Sequence, residues 1–292
     1  FINNDNNQKM NIIFMDKYGL NVEKNIKRKI QNSFTKEDFR RVKTDEIKKI
    51  VSCSDVYRYY KENILNKDYL KNILSKNYKI GINVKEKSLC PVIQDILEKL
   101  NVKSDIYGVK NDLVGFAKNI AFSKYDIGVF IGDERENAIF IDENGNIIDD
   151  ETYEVLRAVI LLEFFKFHVL AVPVTASKAM EEIAESYKCR IIRTKTSKRN
   201  ILETYLKNEG YFDEKYIINS YLKSLDALSN LILTLKLMAD KNCTVSSIIN
   251  KFPKYYTKEE EIMCPWNMKG KVMRSLIEEN NSKSIELIEG VK

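Results

Sequence analysis

The chain has 292 residues, 44% of them hydrophobic and 31% charged, with a formal net charge of +6 from 48 basic and 42 acidic residues. This is a globular composition, long enough for two or three compact domains, and no apolar run reaches the roughly 20 residues that a membrane span needs. Basic residues are dispersed along the chain, and only Asn25-Ile-Lys27-Arg28-Lys29 and Arg40-Arg41-Val-Lys43 come near a cluster, which argues against a nucleic-acid partner; without a spanning run, no membrane partner is expected either. The five cysteines (Cys53, Cys90, Cys189, Cys243, Cys264) lack metal-ligand or redox spacing and read as reduced thiols of a cytoplasmic protein. The single histidine, His168, leaves almost no material for histidine-based acid–base chemistry or a zinc site. Neither a Walker loop nor a dinucleotide fingerprint is present. The first residue is Phe1 and no signal pattern precedes the fold, which predicts a piece of a longer protein.

In chain order, Met10–Met15 reads as a strand and Asp16-Lys-Tyr-Gly19 as a turn. A basic amphipathic helix is predicted over Val22–Ser33, with Val22, Ile26 and Ile30 on one face. After a polar loop, a second helix is predicted over Ser54–Leu74, with Val56, Tyr60, Ile64 and Leu65 inward. From Tyr78 strands and helices alternate, which predicts a mostly parallel sheet. Its elements are a strand at Lys79–Val84, helices at Pro91–Leu100 and Asn111–Lys124, and a strand from Asp126 to Ile131. That strand enters a glycine turn and returns through Ala138–Ile141. A second unit of similar design starts at Asp149: helix 151–167, strand 168–173, helix 176–188, strand 190–193 and helix 197–208. A long helix over Leu222–Asp240 repeats Leu225, Leu228, Ile232, Leu235 and Met238 on its buried side. A final helix is expected at Met268–Glu279.

The strand-to-helix loop from Arg193 to Ile201 concentrates cations beside the free N–H groups of a helix start, an arrangement that can hold phosphate. Arg193, Lys195, Lys198 and Arg199 are the candidate anion-binding residues; the alternative is a basic loop that simply faces solvent.

This order of elements resembles the α-D-phosphohexomutases (phosphomannomutase and phosphoglucomutase) over roughly residues 9–292. The residues that carry it are Lys79-Ile-Gly-Ile-Asn83, Asp126-Ile-Gly-Val129, the Ile141-Asp-Glu-Asn-Gly145 turn, Arg193-Thr-Lys195 and Pro253-Lys-Tyr-Tyr256. Phe34-Thr-Lys-Glu-Asp-Phe-Arg-Arg-Val42 is most similar to mutase-like regions fused behind sugar nucleotidyltransferases of the mannose-1-phosphate guanylyltransferase type. The resemblance implies two consecutive three-layer α/β/α domains, at 77–147 and 148–260. Residues 1–76 would be the tail of a preceding domain, and 261–292 a linker and helix toward a further one.

It also implies motifs that this chain has altered. The family's metal loop, Asp-Gly-Asp-x-Asp-Arg, holds Mg²⁺ through three carboxylates; here Ile131 and Arg135 replace two of them and only Asp133 survives. Magnesium prefers near-octahedral oxygen ligands, so no resident cofactor is expected; the alternative is that Arg135 replaces the metal and pairs with a phosphate directly. The family's catalytic serine loop falls on Phe1–Gln8, which has no serine and no histidine, and Asp5 lacks the motif's context. Its sugar loop, Gly-Glu-x-Ser-Gly-His, falls on Asn208–Asp213, where Glu209 and Gly210 are a faint echo. Asp226-Ala-Leu228 matches a family helix start. The expectation is a region without catalytic residues of its own, regulatory or structural within a nucleotidyltransferase. Its expected partners are a phosphosugar, the attached nucleotidyltransferase and a second copy in a homo-oligomer. The alternative is an active mutase that uses Mg²⁺.

Overall fold

The computed structural model describes residues 2–5, 9–49, 55–65, 71–108, 112–132, 138–255 and 263–280. The chain begins with an antiparallel hairpin of β1 (Ile2–Asp5) and β2 (Lys9–Ile12), followed by helices α1 (Lys24–Thr35), α2 (Asp55–Ile64) and α3 (Lys71–Leu74). The predicted helix over Ser54–Leu74 is thus two helices with residues 66–70 outside the described set. Ile64 is buried on α2 as expected, whereas Val56 is exposed; α2 meets the rest of the chain through Tyr60 and Ile64 and through Tyr57 and Lys61, which both reach Asp95.

The first sheet contains β3 (Lys79–Val84), β4 (Lys103–Gly108), β5 (Ile127–Ile131) and β6 (Ala138–Ile141), with α4 (Cys90–Lys99) and α5 (Leu113–Phe122) in the crossovers. Its order is β4-β3-β5-β6, with β3, β4 and β5 parallel and β6 antiparallel. Central strands of such sheets are covered on both faces, which is why β3 and β5 read as nearly continuous apolar runs. Gly81 and Gly128 pair across β3 and β5. A Cβ at Gly81 would stand 2.5 Å from Ile120 Cδ1, and one at Gly128 2.6 Å from Ile120 Cγ1, so the two glycines form the seat for α5.

The second unit has α6 (Asp150–Phe165), β7 (Val169–Pro173), α7 (Ala179–Ser186), β8 (Arg190–Thr194), α8 (Lys198–Asn208), α9 (Glu214–Leu225), α10 (Ala227–Lys241) and α11 (Val245–Ile249). Asp149, Ser197, Asp213 and Asp226 cap α6, α8, α9 and α10 through their side-chain oxygens. The long helix predicted over Leu222–Asp240 is corrected here. It is broken at Asp226, whose backbone is extended and whose carboxylate accepts the Ser229 N–H at 2.7 Å and the Tyr60 hydroxyl at 3.1 Å. The apolar period runs through the break because Leu225 and Leu228 are both buried on the same core. Among the described residues the sheet here has two strands, β7 and β8, in parallel. A last helix, α12 (Lys269–Asn280), closes the described chain.

One apolar core runs continuously through both units, from Ile80 and Ile82 to Leu235 and Met238. A second, small cluster of Phe116, Ala117, Ile120, Tyr125 and Ile141 sits under α5.

Candidate functional site

The basic loop between β8 and α8 splits its four cations into two pairs. Arg193 grips Glu181 of α7 bidentately, with Nε 2.8 Å from Oε1 and Nη2 3.0 Å from Oε2. Its Nη1 donates to the carbonyls of Val174 (3.1 Å) and Ala176 (2.8 Å). Such a fork saturates the guanidinium and ties β8 to the β7–α7 turn. Arg199 donates through Nη2 to Asp16 Oδ2 at 2.6 Å. The other Asp16 oxygen accepts the N–H groups of Tyr18 and Leu20, so Arg199 locks the turn that precedes α1. Lys195 and Lys198, in contrast, are exposed beside the Ser197 cap of α8. Both arginines are thus held by carboxylates, and Lys195 and Lys198 are the exposed cations of the loop. Sequence reading missed Glu181 and Asp16 as partners, since nothing local links Asp16 to a residue 183 positions away.

The stretch where the resemblance places a sugar loop packs against β7. In the parallel pair, His168 and Val174 bond toward β8: Arg190 N–H donates to His168 O at 2.9 Å, and Val174 N–H to Thr194 O at 2.8 Å. Val169 and Ala171 consequently direct their backbone groups to the opposite edge of β7. There Val169 N–H donates to Glu209 Oε1 at 2.5 Å, and Tyr205 Oη–H to Ala171 O at 3.4 Å. Side chains from the C-terminal turn of α8 occupy positions that a neighbouring strand would otherwise take. The Glu209 side chain is 0% exposed, and its Oε2 lies 3.6 Å from His168 Nδ1. His168 is itself half exposed and stacks on Tyr211 with ring centroids 4.4 Å apart. Burial, and secondarily the Glu209 charge, push the Cys189 thiol up to about 11. Burial also raises the phenol of the fully enclosed Tyr205. Directly after Glu209 the chain turns into α9, capped by Asp213. The echo at Glu209-Gly210 is thus a buried structural carboxylate beside an open glycine.

At the end of β5, Ile131 pairs with Ala138 and is 4% exposed. A buried hydrocarbon offers no ligand, so Ile131 itself cannot help to hold a metal ion. Asp133 and Arg135 lie outside the described residues. Among the described residues no group of three or more His, Cys, Asp or Glu side chains is placed to hold a metal ion. In the N-terminal stretch, Ile2–Asp5 is a strand paired with Lys9–Ile12, while Phe1 and residues 6–8 lie outside the described residues. The described cysteines Cys90, Cys189, Cys243 and Cys264 are free thiols, and no described helix is long and apolar enough to cross a membrane.

No family model matches the chain. Its sequence is 22% identical over 264 residues to a phosphoglucomutase/phosphomannomutase of Thermococcus kodakarensis, covering 84% of this chain and 58% of that protein. It is 26% identical over 180 residues to a phosphoglucosamine mutase of Methanococcus maripaludis, covering 57% of this chain and 39% of that protein. Among solved structures, a phosphoglucomutase/phosphomannomutase family protein of Burkholderia thailandensis superposes with a TM-score of 0.60 at 11% identity, over 82% of this chain and 55% of that one. The chain spans roughly half the length of these proteins. It is similar in sequence to phosphohexomutases and shares the mixed α/β fold of the Burkholderia protein, with a mainly parallel sheet.

Proposed function

We propose that this chain is a phosphohexomutase-type region that no longer transfers phosphoryl groups and serves as a regulatory or structural part of a sugar-phosphate nucleotidyltransferase of the mannose-1-phosphate guanylyltransferase type. The observation that carries the reading is the edge of β7, closed by Glu209 and Tyr205 with α9 following at once, where a sugar-gripping loop would be needed. Phosphoryl transfer depends on positioning and on neutralising charge around the moving group. The sequence supports the reading further: Ile131 and Arg135 stand where two carboxylates would hold Mg²⁺, and Phe1–Gln8 contains no serine. The similarity of Phe34–Val42 to mutase-like regions behind guanylyltransferases supports the attached enzyme. On this reading residues 77–147 and 148–260 are the two mutase-like domains, with 1–76 and 261–292 joining them to flanking parts. A phosphosugar held at Lys195 and Lys198 would act as an effector, and a homo-oligomer would assemble the whole.

The full-length protein, supplied with mannose 6-phosphate, Mg²⁺ and a catalytic amount of a hexose 1,6-bisphosphate, is expected to give no mannose 1-phosphate above background. It is expected to form a nucleotide sugar from mannose 1-phosphate and a nucleoside triphosphate. Turnover in the first assay would sink the proposal and establish the second reading, an active mutase with a divergent Mg²⁺ loop. That reading is favoured by the similarity to a mutase over 84% of the chain.

A further inference from the structure

Residues 24–49 contain ten Lys or Arg and four Asp or Glu, a surplus of six that equals the +6 of the entire chain. The rest of the sequence is balanced, so the protein's net charge is a local property of α1 and the segment after it. On α1 the residues segregate. Lys24, Lys27, Arg28 and Gln31 recur at i, i+3, i+4 and i+7 and form one stripe, while Ile26, Ile30 and Phe34 recur every fourth residue and form a second stripe about a third of a turn away, with Lys27 and Phe34 where the two meet. The helix has no buried residue; Ile26 is 42% and Phe34 71% exposed, and Phe34 stacks on exposed Phe39. Among the described residues Lys24, Lys27 and Arg28 form no ion pair with a carboxylate. Together with Asn25 and Gln31 they line an open depression of about 470 Å³.

We infer that α1 lies in the surface of an anionic phospholipid bilayer, its cations on the headgroup phosphates and Ile26, Ile30 and Phe34 turned toward the acyl chains. The inference needs no spanning helix, because an interfacial helix of twelve residues, about 18 Å long, rests in the plane of the membrane. The separation of the two stripes favours lipid over single-stranded nucleic acid, where aromatic rings must interleave with cations to stack on bases. Anionic lipid attracts each Lys or Arg near the surface with a free energy that corresponds to about a fivefold change in binding.

The test is co-sedimentation of the full 292-residue chain with vesicles of phosphatidylcholine alone, or with roughly a third phosphatidylserine, at low salt. Binding is expected to the anionic vesicles only, with release as salt shortens the screening length. Lys27→Ala should weaken it about fivefold, and the triple change Lys24→Glu, Lys27→Glu, Arg28→Glu should abolish it. Phe34→Ser should lower the binding that survives moderate salt. The altered side chains are exposed, so a circular-dichroism melt should match the parent, and the salt titration of the unaltered chain stands without any variant. Equal pelleting with neutral vesicles, or full binding by the triple variant, would overturn the inference. So would an α1-dependent grip on an oligonucleotide or an acidic protein with no affinity for the vesicles.

Discussion

The two α/β units of this chain finish their sheets in different ways. The first unit adds an antiparallel strand, β6, beside β5, so that strand's backbone bonds run strand to strand. Among the described residues the second unit has no strand on that side of β7 and covers it with the end of α8, where Glu209 and Tyr205 reach individual backbone groups. An exposed strand edge is a template for unwanted pairing; the second solution covers that edge, whereas the first passes it on to β6. The second places a helix and a buried carboxylate, Glu209, along the start of β7. A fold can thus keep its layers while the end of one sheet is remade for closure.

The comparison can be strained at its centre first. Leu235→Ala removes a fully buried side chain from the helical core of the second unit, and Ile82→Ala does so in the sheet of the first; each is expected to lower stability by about 2–5 kcal/mol in urea melts. Equal losses would fit the single core that both units share, and a trivial loss at either site would break it. Gly128→Ala drives a methyl into Ile120 and should cost about 1–3 kcal/mol.

At the remade edge, Glu209→Ala strands the Val169 N–H and should cost about 1–3 kcal/mol, while Glu209→Gln keeps an acceptor and should stay within about 1 kcal/mol of the parent. A harmless alanine there would show that the edge is not held by this carboxylate. Asp226→Ala, which removes both a helix cap and the Tyr60 contact, should cost about 1 kcal/mol by the same melts. Smallest is a rate effect. With its thiol pushed up to about 11, Cys189 should alkylate slowly at pH 8 and faster as pH climbs toward that value. Glu209→Gln removes a nearby negative charge, so the rise should move to lower pH, though only in part because burial is the larger cause.

Much of this was legible where burial imposes a pattern. β3, β5, β7 and α6 are covered on most sides, and their apolar runs announced them. β4 was missed because an edge strand reading Lys-Ser-Asp-Ile-Tyr-Gly carries little apolar signal. α9 was missed because the stretch was read against a loop motif, although Asp213 and Glu214 are an adequate cap and first turn. The basic loop was found, yet the division of its cations was hidden, since Arg193 and Arg199 are committed by carboxylates that only folding brings near. The role of Glu209 was hidden for the same reason: its partner, Val169, is 40 residues away.

The small cluster under α5 has a dynamic consequence. Five buried residues hold that face, whereas the other face of the same sheet belongs to the core that spans both units. Local opening free energies follow the apolar contact that must be broken, so α5 should lift from its two-glycine seat while α10 stays in place. Backbone amides of α5 should then exchange with deuterated solvent well before those of α10, through a partial unfolding that leaves the sheet standing on its better-covered side.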